Sequence, residues 1–281
     1  MMILDGKETA AKLASDLKEK IAELAAKNRL PSLAIVLASE DKPSAMYAAH
    51  MMKVAEGYGI SAKLIQKEAE ISEADLIGVI EELNHDPAVT GILMMMPLPA
   101  HISEAHVIEA MDPDKDIDGL TSANLGRLMA GKDGLFPCTP RACMAILHHY
   151  GISIDGKRAV VLGRSIVVGN PVAQMLQKEN ATVTVCHSHT QNLPAVCREA
   201  DILVAAIGRA EFVTADMIKP GAVVIDVGIN RKDGKTVGDV AYEDAKEIAG
   251  AITPVPGGVG SVTTTMVIEA LVHAAEIQSR T

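Results

Sequence analysis

The run Arg158-Ala159-Val160-Val161-Leu162, continued by Gly163-Arg164-Ser165-Ile166-Val167-Val168-Gly169-Asn170-Pro171, decides the fold. Its first five residues have the pattern of a buried strand, and a helical run begins at Val172. Two glycines allow a tight strand-to-helix turn, and the N–H groups of a helix N-terminus can bind a pyrophosphate. Because the motif is not Gly-x-Gly-x-x-Gly, it alone fits a structural turn as well as a dinucleotide-binding turn.

Three more β-rich runs follow, at residues 182–186, 202–206 and 223–227. Each ends at glycine or polar residues, so together with residues 158–162 they predict a parallel, Rossmann-type sheet. A long apolar-periodic segment at 263–277 predicts a last helix that packs back on the first domain.

The first half of the chain also alternates between helical and strand patterns. Residues 9–27, 44–58 and 72–84 have helical spacing, and short apolar runs at 33–38 and 91–95 predict strands. A segment rich in Asp, Gly and Asn at 111–134 leads to Pro137 and Pro140, which predicts the domain crossing there. We therefore predict an α/β protein with two domains: residues 1–138 with a C-terminal helix at 265–281, and residues 139–264.

Composition excludes several classes of partner. The chain of 281 residues has a formal net charge of −10 and no compact basic stripe, which argues against binding to nucleic acid or to anionic membranes. No apolar stretch approaches the length of a membrane span, and the charged N-terminus is unlike a signal peptide, so a cytoplasmic protein is expected. The four cysteines form no Cys-x-x-Cys pair, which favours reduced, buried thiols and no metal site.

The end of the second predicted strand indicates the cofactor. A dinucleotide fold that uses NAD has an acidic residue here for the ribose 2′-hydroxyl, but this sequence reads His187-Ser188-His189-Thr190. Hydroxyl and imidazole donors, with the Arg164 guanidinium nearby, suit a 2′-phosphate. The sequence therefore favours NADP over NAD.

Nearly end to end, the chain resembles the bifunctional methylenetetrahydrofolate dehydrogenase/cyclohydrolase (FolD-type) family. The turn at 163–171 matches the family's Gly-Arg-Ser-x-x-Val-Gly-x-Pro. Further matches are Ile3-Leu4-Asp5-Gly6, Pro43-Ser44-x-x-Tyr47, Pro97-Leu98-Pro99, Lys115-Asp116-Ile117-Asp118-Gly119, Cys186-His187-Ser188, Asp226-Val227-Gly228-Ile229-Asn230 and Pro254-Val255-Pro256-Gly257-Gly258-Val259-Gly260.

The resemblance implies oxidation of 5,10-methylenetetrahydrofolate with NADP, followed by hydrolysis of the methenyl product to 10-formyltetrahydrofolate. It also implies a homodimer and a folate bound between the domains, with Tyr47 against the pterin ring and Asp118 on the amino-pyrimidine edge. Read without the family, Tyr47 fits an amphipathic surface ring and Asp118 a turn carboxylate.

The remaining site residues are also carried over from the family. The implied substrate-binding residues are Tyr47, Pro97, Leu98, Pro99, Asp118, Gly257 and Gly258. The implied cofactor-binding residues are Gly163, Arg164, Ser165, Gly169, His187, Ser188, Gly208, Ile229, Gly258 and Thr263. The loop 257–260 fits a tight turn before the last helix equally well.

The sequence departs from the family at two of its four catalytic positions, which are Tyr47, Met51, Met95 and Asp118. The family has a lysine where this chain has Met51, one helical turn after the tyrosine, and a supporting glutamine where it has Met95. Lys53 is a poor substitute because it points about 120° or more away from Tyr47 around the helix. Coupled loss explains both changes economically, since a buried amide without its partner costs about 1 to 3 kcal/mol.

Loss of the lysine predicts an impaired hydrolase step, which needs proton management around a water, and a retained hydride transfer, which needs alignment. Three alternatives remain open. In one, the enzyme stays bifunctional and His50 manages the water; in another, the protein is a non-catalytic folate or NADP sensor. In the third, it is a dehydrogenase for another substrate, with Met51 and Met95 lining its pocket, although Tyr47 and Asp118 favour a pterin.

Overall fold

The computed structural model describes residues 1–280, which divide into two compact units. The N-terminal unit contains Ala14–Cys138 and the chain from Val267 onward; the C-terminal unit contains Met1–Leu13 and Thr139–Met266. This division differs from the predicted domains chiefly at the N-terminus, whose first 13 residues group with the nucleotide-binding half. Met2–Ile3 explains the difference, because it pairs in parallel with Ala251–Ile252 as a strand too short for pattern analysis.

The helices and strands alternate along most of the chain. In order they are β1 (Met2–Ile3), α1 (Gly6–Ala26), β2 (Ser32–Leu37), α2 (Lys42–Gly57), β3 (Ser61–Gln66), α3 (Glu73–His85), β4 (Gly91–Met94), α4 (Glu104–Glu109), α5 (Ser122–Met129), α6 (Cys138–His149), β5 (Arg158–Leu162), α7 (Gly169–Lys178), β6 (Thr182–Cys186), α8 (Leu193–Cys197), β7 (Ile202–Ala205), a 3₁₀ turn (Ala215–Met217), β8 (Val223–Asp226), β9 (Asn230–Lys232), β10 (Lys235–Val237), α9 (Tyr242–Ile248), β11 (Ala251–Ile252) and α10 (Val259–Gln278).

The N-terminal unit is built on a three-stranded parallel sheet in the order β3-β2-β4. Residues 33–37 of β2 and all four residues of β4 are buried, as expected for parallel strands covered on both faces. The edge strand β3 was not predicted, because its half-exposed sequence Ser-Ala-Lys-Leu-Ile-Gln lacks a continuous apolar run.

A six-stranded parallel sheet, in the order β1-β11-β8-β7-β5-β6, forms the C-terminal unit. Its four inner and edge strands β5 to β8 are the ones that the sequence predicted, and β5 and β6 have the predicted bounds. The α/β class with a Rossmann-type sheet is therefore confirmed. The antiparallel hairpin of β9 and β10 and the short strands β1 and β11 were not predicted.

The helices predicted at 9–27, 44–58 and 72–84 correspond to α1, α2 and α3, with ends within three residues. The short helices α4, α5, α8 and α9 were not predicted. Helix α10 begins at Val259, four residues before the predicted start, and its second half belongs to the N-terminal unit. There Gln278 Nε2 donates to the carbonyl oxygens of Thr90 and Asp114 at 2.8 Å. Helix α6 was not predicted, since its flanking and internal prolines suggested a linker.

All four cysteines are buried free thiols, in agreement with the reduced state that the sequence predicted. Among residues 1–280, no helix is both long and apolar enough to cross a bilayer.

Candidate active site

Tyr47 lies on α2, a helix whose first turn is tied to the loop after β4. The Asp41 side chain caps the helix by accepting from the Ser44 N–H at 2.9 Å. The Ser44 hydroxyl contacts the Asp41 carboxylate at 2.7 Å and donates to the Met96 carbonyl at 3.0 Å. A single buried serine therefore holds the helix that carries Tyr47 against the segment that precedes Pro97.

The Pro97–Pro99 segment presents one buried and two more open side chains. The Met96–Pro97 peptide bond is cis, Leu98 is buried, and Pro97 is exposed. The Leu98 N–H donates to Glu104 Oε1 at 3.4 Å. Leu98 thus belongs to the core, which leaves the two prolines as the surface available to a ligand.

Asp118 lies in a loop that its neighbours fix firmly. Asp116 is fully buried and accepts from the Thr121 N–H at 2.8 Å and from Asn124 Nδ2 at 3.2 Å. Lys115 Nζ donates to the carbonyl oxygens of Leu83 and Asp86, at the C-terminal end of α3. Buried partners on both sides of the motif hold Asp118 at the edge of the fold's interior.

Tyr47, Asp118 and Cys138 form one electrostatic cluster. Burial, followed by the nearby Asp116, raises the pKa of Asp118 to about 7, although a hydrogen bond from the Cys138 thiol acts in the opposite direction. Burial around the hydroxyl, followed by Asp118 and Cys138, raises the pKa of Tyr47, although 36% of the residue's surface is exposed. Near neutral pH, Tyr47 therefore presents a neutral phenol beside a carboxyl group that can exchange a proton.

Sequence reasoning missed Cys138, which it assigned only as a buried thiol. The residue is 3% exposed, begins α6, and also lies 3.6 Å from the Ile117 carbonyl oxygen. A lone cysteine at a domain crossing carries no chemical signal by itself, so its neighbourhood to Asp118 could be found only from the fold.

Met51 and Met95 are packed into the interior. Met51 is 0% exposed and Met95 is 4% exposed, whereas His50 and Lys53 on the same helix are exposed. Neither methionine presents surface to solvent in this structure, so their place beside a ligand stays a prediction. Unbranched thioethers fill interior gaps readily and need no hydrogen-bonding partner, unlike a lysine or an amide at the same buried positions.

In the C-terminal unit, the turn after β5 has the conformation that its glycines suggested. Gly163 has φ +111°, and a Cβ there would collide with the Ala206 carbonyl; a Cβ on Gly169 would collide with Gly163 itself. The Ser165 hydroxyl accepts from the N–H groups of Val168 and Gly169 at 3.1 and 3.4 Å. The expected supply of free N–H groups at the start of α7 is thus partly consumed inside the turn.

The ends of β5 and β6 carry exposed donors and no carboxylate. Arg164, Ser165, Ser188 and His189 are exposed, and His187 is partly buried with its N–H donating to Thr190 Oγ1 at 2.9 Å. This set of guanidinium, hydroxyl and imidazole groups fits a phosphorylated ribose, as the sequence predicted.

A cavity of about 230 Å³ lies farther along the same edge of this sheet. It is lined by residues 226–229, Thr236 and residues 254–261, which include the predicted contacts Ile229, Gly257 and Gly258. Ile229 is 71% exposed, and Gly208 has φ +65° with open space around it. The Thr263 hydroxyl instead donates to the Val259 carbonyl at 3.2 Å, inside α10.

The motif at residues 3–6 supports this glycine loop. The Gly6 N–H donates to the Gly257 carbonyl at 2.8 Å, and a Cβ on Gly6 would collide with the Gly258 carbonyl. Gly6 is therefore required by close packing, which explains a motif whose role the sequence analysis left unassigned.

Family models match most of the chain. Residues 4–118 match the tetrahydrofolate dehydrogenase/cyclohydrolase catalytic domain, and residues 137–279 match the NAD(P)-binding domain of the same family. The chain belongs to the tetrahydrofolate dehydrogenase/cyclohydrolase family. The family that the sequence motifs indicated is thereby confirmed, and the Rossmann-type unit is its NAD(P)-binding domain.

Individual relatives are similar over their full length. The bifunctional protein FolD of Moorella thermoacetica is 50% identical over 274 residues, which cover 97% of this chain and 98% of the relative. The structure of the bifunctional FolD methylenetetrahydrofolate dehydrogenase/cyclohydrolase from Campylobacter jejuni has a TM-score of 0.97 at 40% identity, with 99% of each chain covered.

A third relative bears on the cofactor. The Trypanosoma brucei methylenetetrahydrofolate dehydrogenase-cyclohydrolase, solved with NADP and an inhibitor, has a TM-score of 0.94 at 35% identity and covers 100% of this chain and 99% of its own. The predicted cofactor agrees with this complex and with the family's NAD(P)-binding domain.

Proposed function

We propose that this protein oxidises 5,10-methylenetetrahydrofolate to 5,10-methenyltetrahydrofolate with NADP, and that its methenyltetrahydrofolate cyclohydrolase activity is weak or absent. The observation that carries the proposal is the complete burial of Met51 on the helix that also carries a retained Tyr47. The family membership supports the dehydrogenase part, and the two methionines support the loss of hydrolysis.

The proposed folate site consists of Tyr47, the prolines at 97 and 99, and Asp118. The exposed face of the Tyr47 ring suits stacking on a pterin, and its neutral hydroxyl can donate a hydrogen bond. Asp118, when ionised, can accept hydrogen bonds from the amino-pyrimidine edge of the pterin. These contacts would place the one-carbon unit without requiring a charged residue beside it.

NADP supplies the acceptor for hydride, and Arg164, Ser165, His187 and Ser188 are the residues proposed to hold its adenosine side. During the proposed oxidation the methylene C–H bond breaks, and both of its electrons leave with the hydride. The positive charge left behind is shared by the two flanking folate nitrogens, so this chain needs to contribute alignment and an uncharged surrounding. An ammonium about 4 Å from that charge would cost about 4 kcal/mol at an effective dielectric of 20, which buried methionine avoids.

Hydrolysis makes a different demand, because water must lose a proton as it attacks the methenyl carbon. The positions of the family's lysine and glutamine hold thioethers in this chain, and a thioether neither donates nor accepts a proton at neutral pH. The expected result is a wild-type protein that reduces NADP with methylenetetrahydrofolate but hydrolyses methenyltetrahydrofolate little faster than buffer does.

The test is to measure both half-reactions on the purified protein and on Met51→Lys, Met95→Gln and the double variant. Met51→Lys alone should recover hydrolysis at most partly, since its ammonium would be buried without an amide partner. The double variant should exceed the product of the single effects, because residues that act as a unit are non-additive. Met51→Leu, which keeps the volume without a charge, is the matched control.

A fully bifunctional enzyme that produces 10-formyltetrahydrofolate is the second candidate, since the 50% identical relative from Moorella thermoacetica is described as bifunctional. In this chain His50, exposed three residues after Tyr47, would then have to manage the water. Hydrolysis at a rate comparable with the dehydrogenase step would contradict the lost-lysine proposal. His50→Gln would then be the next variant to assay.

A protein that only senses folate or NADP would bind both ligands without turnover. NADP reduction on addition of methylenetetrahydrofolate rejects that alternative directly. We also propose a homodimer, on the family resemblance alone, and light scattering of the purified protein tests it.

A further inference from the structure

Asp239 is a fully buried carboxylate in the C-terminal unit that the proposed chemistry does not use. It follows the β9–β10 hairpin in the chain, and sequence analysis assigned it no role. Among residues 1–280, no lysine or arginine side chain donates a hydrogen bond to it; its partners are backbone N–H groups and one side-chain amide. Moving a carboxylate out of water costs free energy even when it is hydrogen-bonded, so the presence of Asp239 in the interior calls for an explanation.

The first set of partners lies in the loop after β7. Asp239 Oδ2 accepts from the N–H groups of Ile207 at 2.7 Å and Gly208 at 3.0 Å, and Oδ1 accepts from the Arg209 N–H at 2.8 Å. Three successive N–H groups therefore converge on one carboxylate, as they do in the anion-binding nests of loops. The Gly208 N–H is thereby occupied and cannot donate to a ligand.

The other partners lie in the loop after β8. Asn230 Nδ2 donates to Asp239 Oδ1 at 2.9 Å. Asp226, the last residue of β8, accepts from the N–H groups of Gly228 and Asp239 at 3.0 and 2.9 Å. The Asp226 N–H in turn donates to the Thr253 hydroxyl at 2.7 Å. The two carboxylates thus connect the loops after β7 and β8, and the Asp226 N–H connects the end of β8 to the residue after β11.

Two glycines show how tightly these carboxylates are enclosed. A Cβ on Gly228 would collide with the Asp239 carboxylate, and a Cβ on Gly238 would collide with the Asp226 carboxylate. Glycine is therefore needed at both positions, because a side chain there would overlap with the carboxylate of Asp239 or Asp226.

Both loops lie at the carboxyl ends of adjacent parallel strands, where ligands bind in open α/β sheets. They carry Gly208 and Ile229, which are among the proposed cofactor contacts, and Ile229 lines the cavity beside Gly257 and Gly258. We propose that Asp239 is a positioning residue for the dinucleotide: it holds the loops after β7 and β8 in the binding conformation before the cofactor arrives.

Preorganisation predicts a change in cofactor binding and little change in turnover once the cofactor is bound. In Asp239→Asn one oxygen is replaced by an N–H₂ group that faces backbone donors. The KM and the Kd for NADP should rise about tenfold or more, the change that corresponds to about 1.4 kcal/mol. The kcat at saturating NADP should stay within about threefold of wild type, a shift of under about 1 kcal/mol in the barrier.

A second readout needs no catalysis. In the free protein, hydrogen exchange at the amides of Ile207, Gly208 and Arg209 should be slow, and Asp239→Asn should accelerate it at least about tenfold. Asp201 provides the matched control, because its carboxylate accepts from the Arg158 N–H at 2.9 Å and from Lys219 at 2.6 Å, at the opposite ends of the strands. Asp201→Asn should leave both the exchange of these three amides and the Kd for NADP unchanged.

Asn230→Ala keeps Asp239 and its backbone partners, so it decides the matter if Asp239→Asn does not fold. A rise of about threefold in the Kd for NADP, or about 0.7 kcal/mol, is expected for the loss of this one hydrogen bond. Wild-type Kd values in the folded variants, or an equal rise in Asp201→Asn, would overturn the proposal. The inference rests on the proposed cofactor contacts but not on the folate reaction, so a wild type that binds NADP without turnover would refute the function alone.

Discussion

Asp118 illustrates how one side chain acquires a functional pKa from its surroundings. Loss of solvent around its carboxyl group and the negative charge of the nearby Asp116 together raise its pKa to about 7. The Cys138 thiol opposes this shift only in part. The same residue is therefore a good hydrogen-bond acceptor above neutrality and a poor one below it, and substrate binding should follow its titration.

We accordingly expect the KM for methylenetetrahydrofolate to rise as the pH falls from about 8 to about 6, because protonation removes the acceptor for the pterin edge. Asp118→Ala should lose about 2 kcal/mol or more of folate binding at the upper pH. Steady-state kinetics at several pH values measure both effects, with the KM for NADP as the control. Unchanged folate affinity in a folded Asp118→Ala would remove this residue from the site.

The sequence predicted which residues belong to the site where they form part of a family motif. It did not predict how exposed each residue is, because exposure depends on the fold. Tyr47 and Asp118 were identified through the family resemblance, which indicates which residues form the site but not how buried they are or how their pKa values shift. The burial of Met51 depends on how α2 lies against β2 and β3, and helical spacing alone shows only that it shares a face with Tyr47. Cys138 was missed for the related reason that its partner Asp118 is distant in sequence.

Elements were predicted well where burial is continuous. Strands β5 and β7 have buried apolar runs, and the sequence located both to within one residue. Strand β3 lies at a sheet edge, where alternating exposure and Lys63 hide the pattern. Helix α6 was hidden by Pro140, the third residue of the helix, because a proline in the first turn is compatible with a helix that a proline farther inside would break.

Cofactor choice is a property of two strand ends, those of β5 and β6. We expect kcat/KM to favour NADP over NAD by at least about tenfold, or 1.4 kcal/mol, because guanidinium, hydroxyl and imidazole donors replace the usual carboxylate. Arg164→Ala should remove most of this preference. Arg158→Ala, at the opposite end of β5 and paired with Glu199 at 3.2 Å, should leave it intact. Equal or better kcat/KM with NAD in the wild type would contradict the assignment.

For the molecule as a whole, stability should depend on pH through its buried acids. Burial raises the pKa of Asp226 to about 6, despite three backbone N–H groups that oppose the shift. A folded-state pKa above the ordinary value means that this group's stabilisation is full below about pH 4 and is lost as the pH rises through about 6. Acids with a lowered pKa, such as the Lys219-paired Asp201, lose their contribution only at lower pH.

Between about pH 5 and pH 7.5, the free energy of unfolding should therefore fall by about 1 to 2 kcal/mol on account of Asp226. Urea unfolding of the wild type and of Asp226→Asn at both pH values measures the effect. The difference between the two proteins isolates this group, since other titrating residues are common to both. Parallel pH dependences would show that Asp226 does not titrate in this range.

The division of the chain into its two units has a consequence for how such a protein can be rearranged. Each unit is assembled from two separate stretches of sequence, and the boundaries after Leu13 and Met266 both fall within helices, α1 and α10. A single cut near residue 138 would deprive the Rossmann-type sheet of its edge strand β1 and the N-terminal unit of the second half of α10. Neither unit can be transferred intact by one genetic crossover, so a chimera with a different cofactor-binding unit needs three junctions. Two of them lie well inside α1 and α10, and the third lies at the first residue of α6.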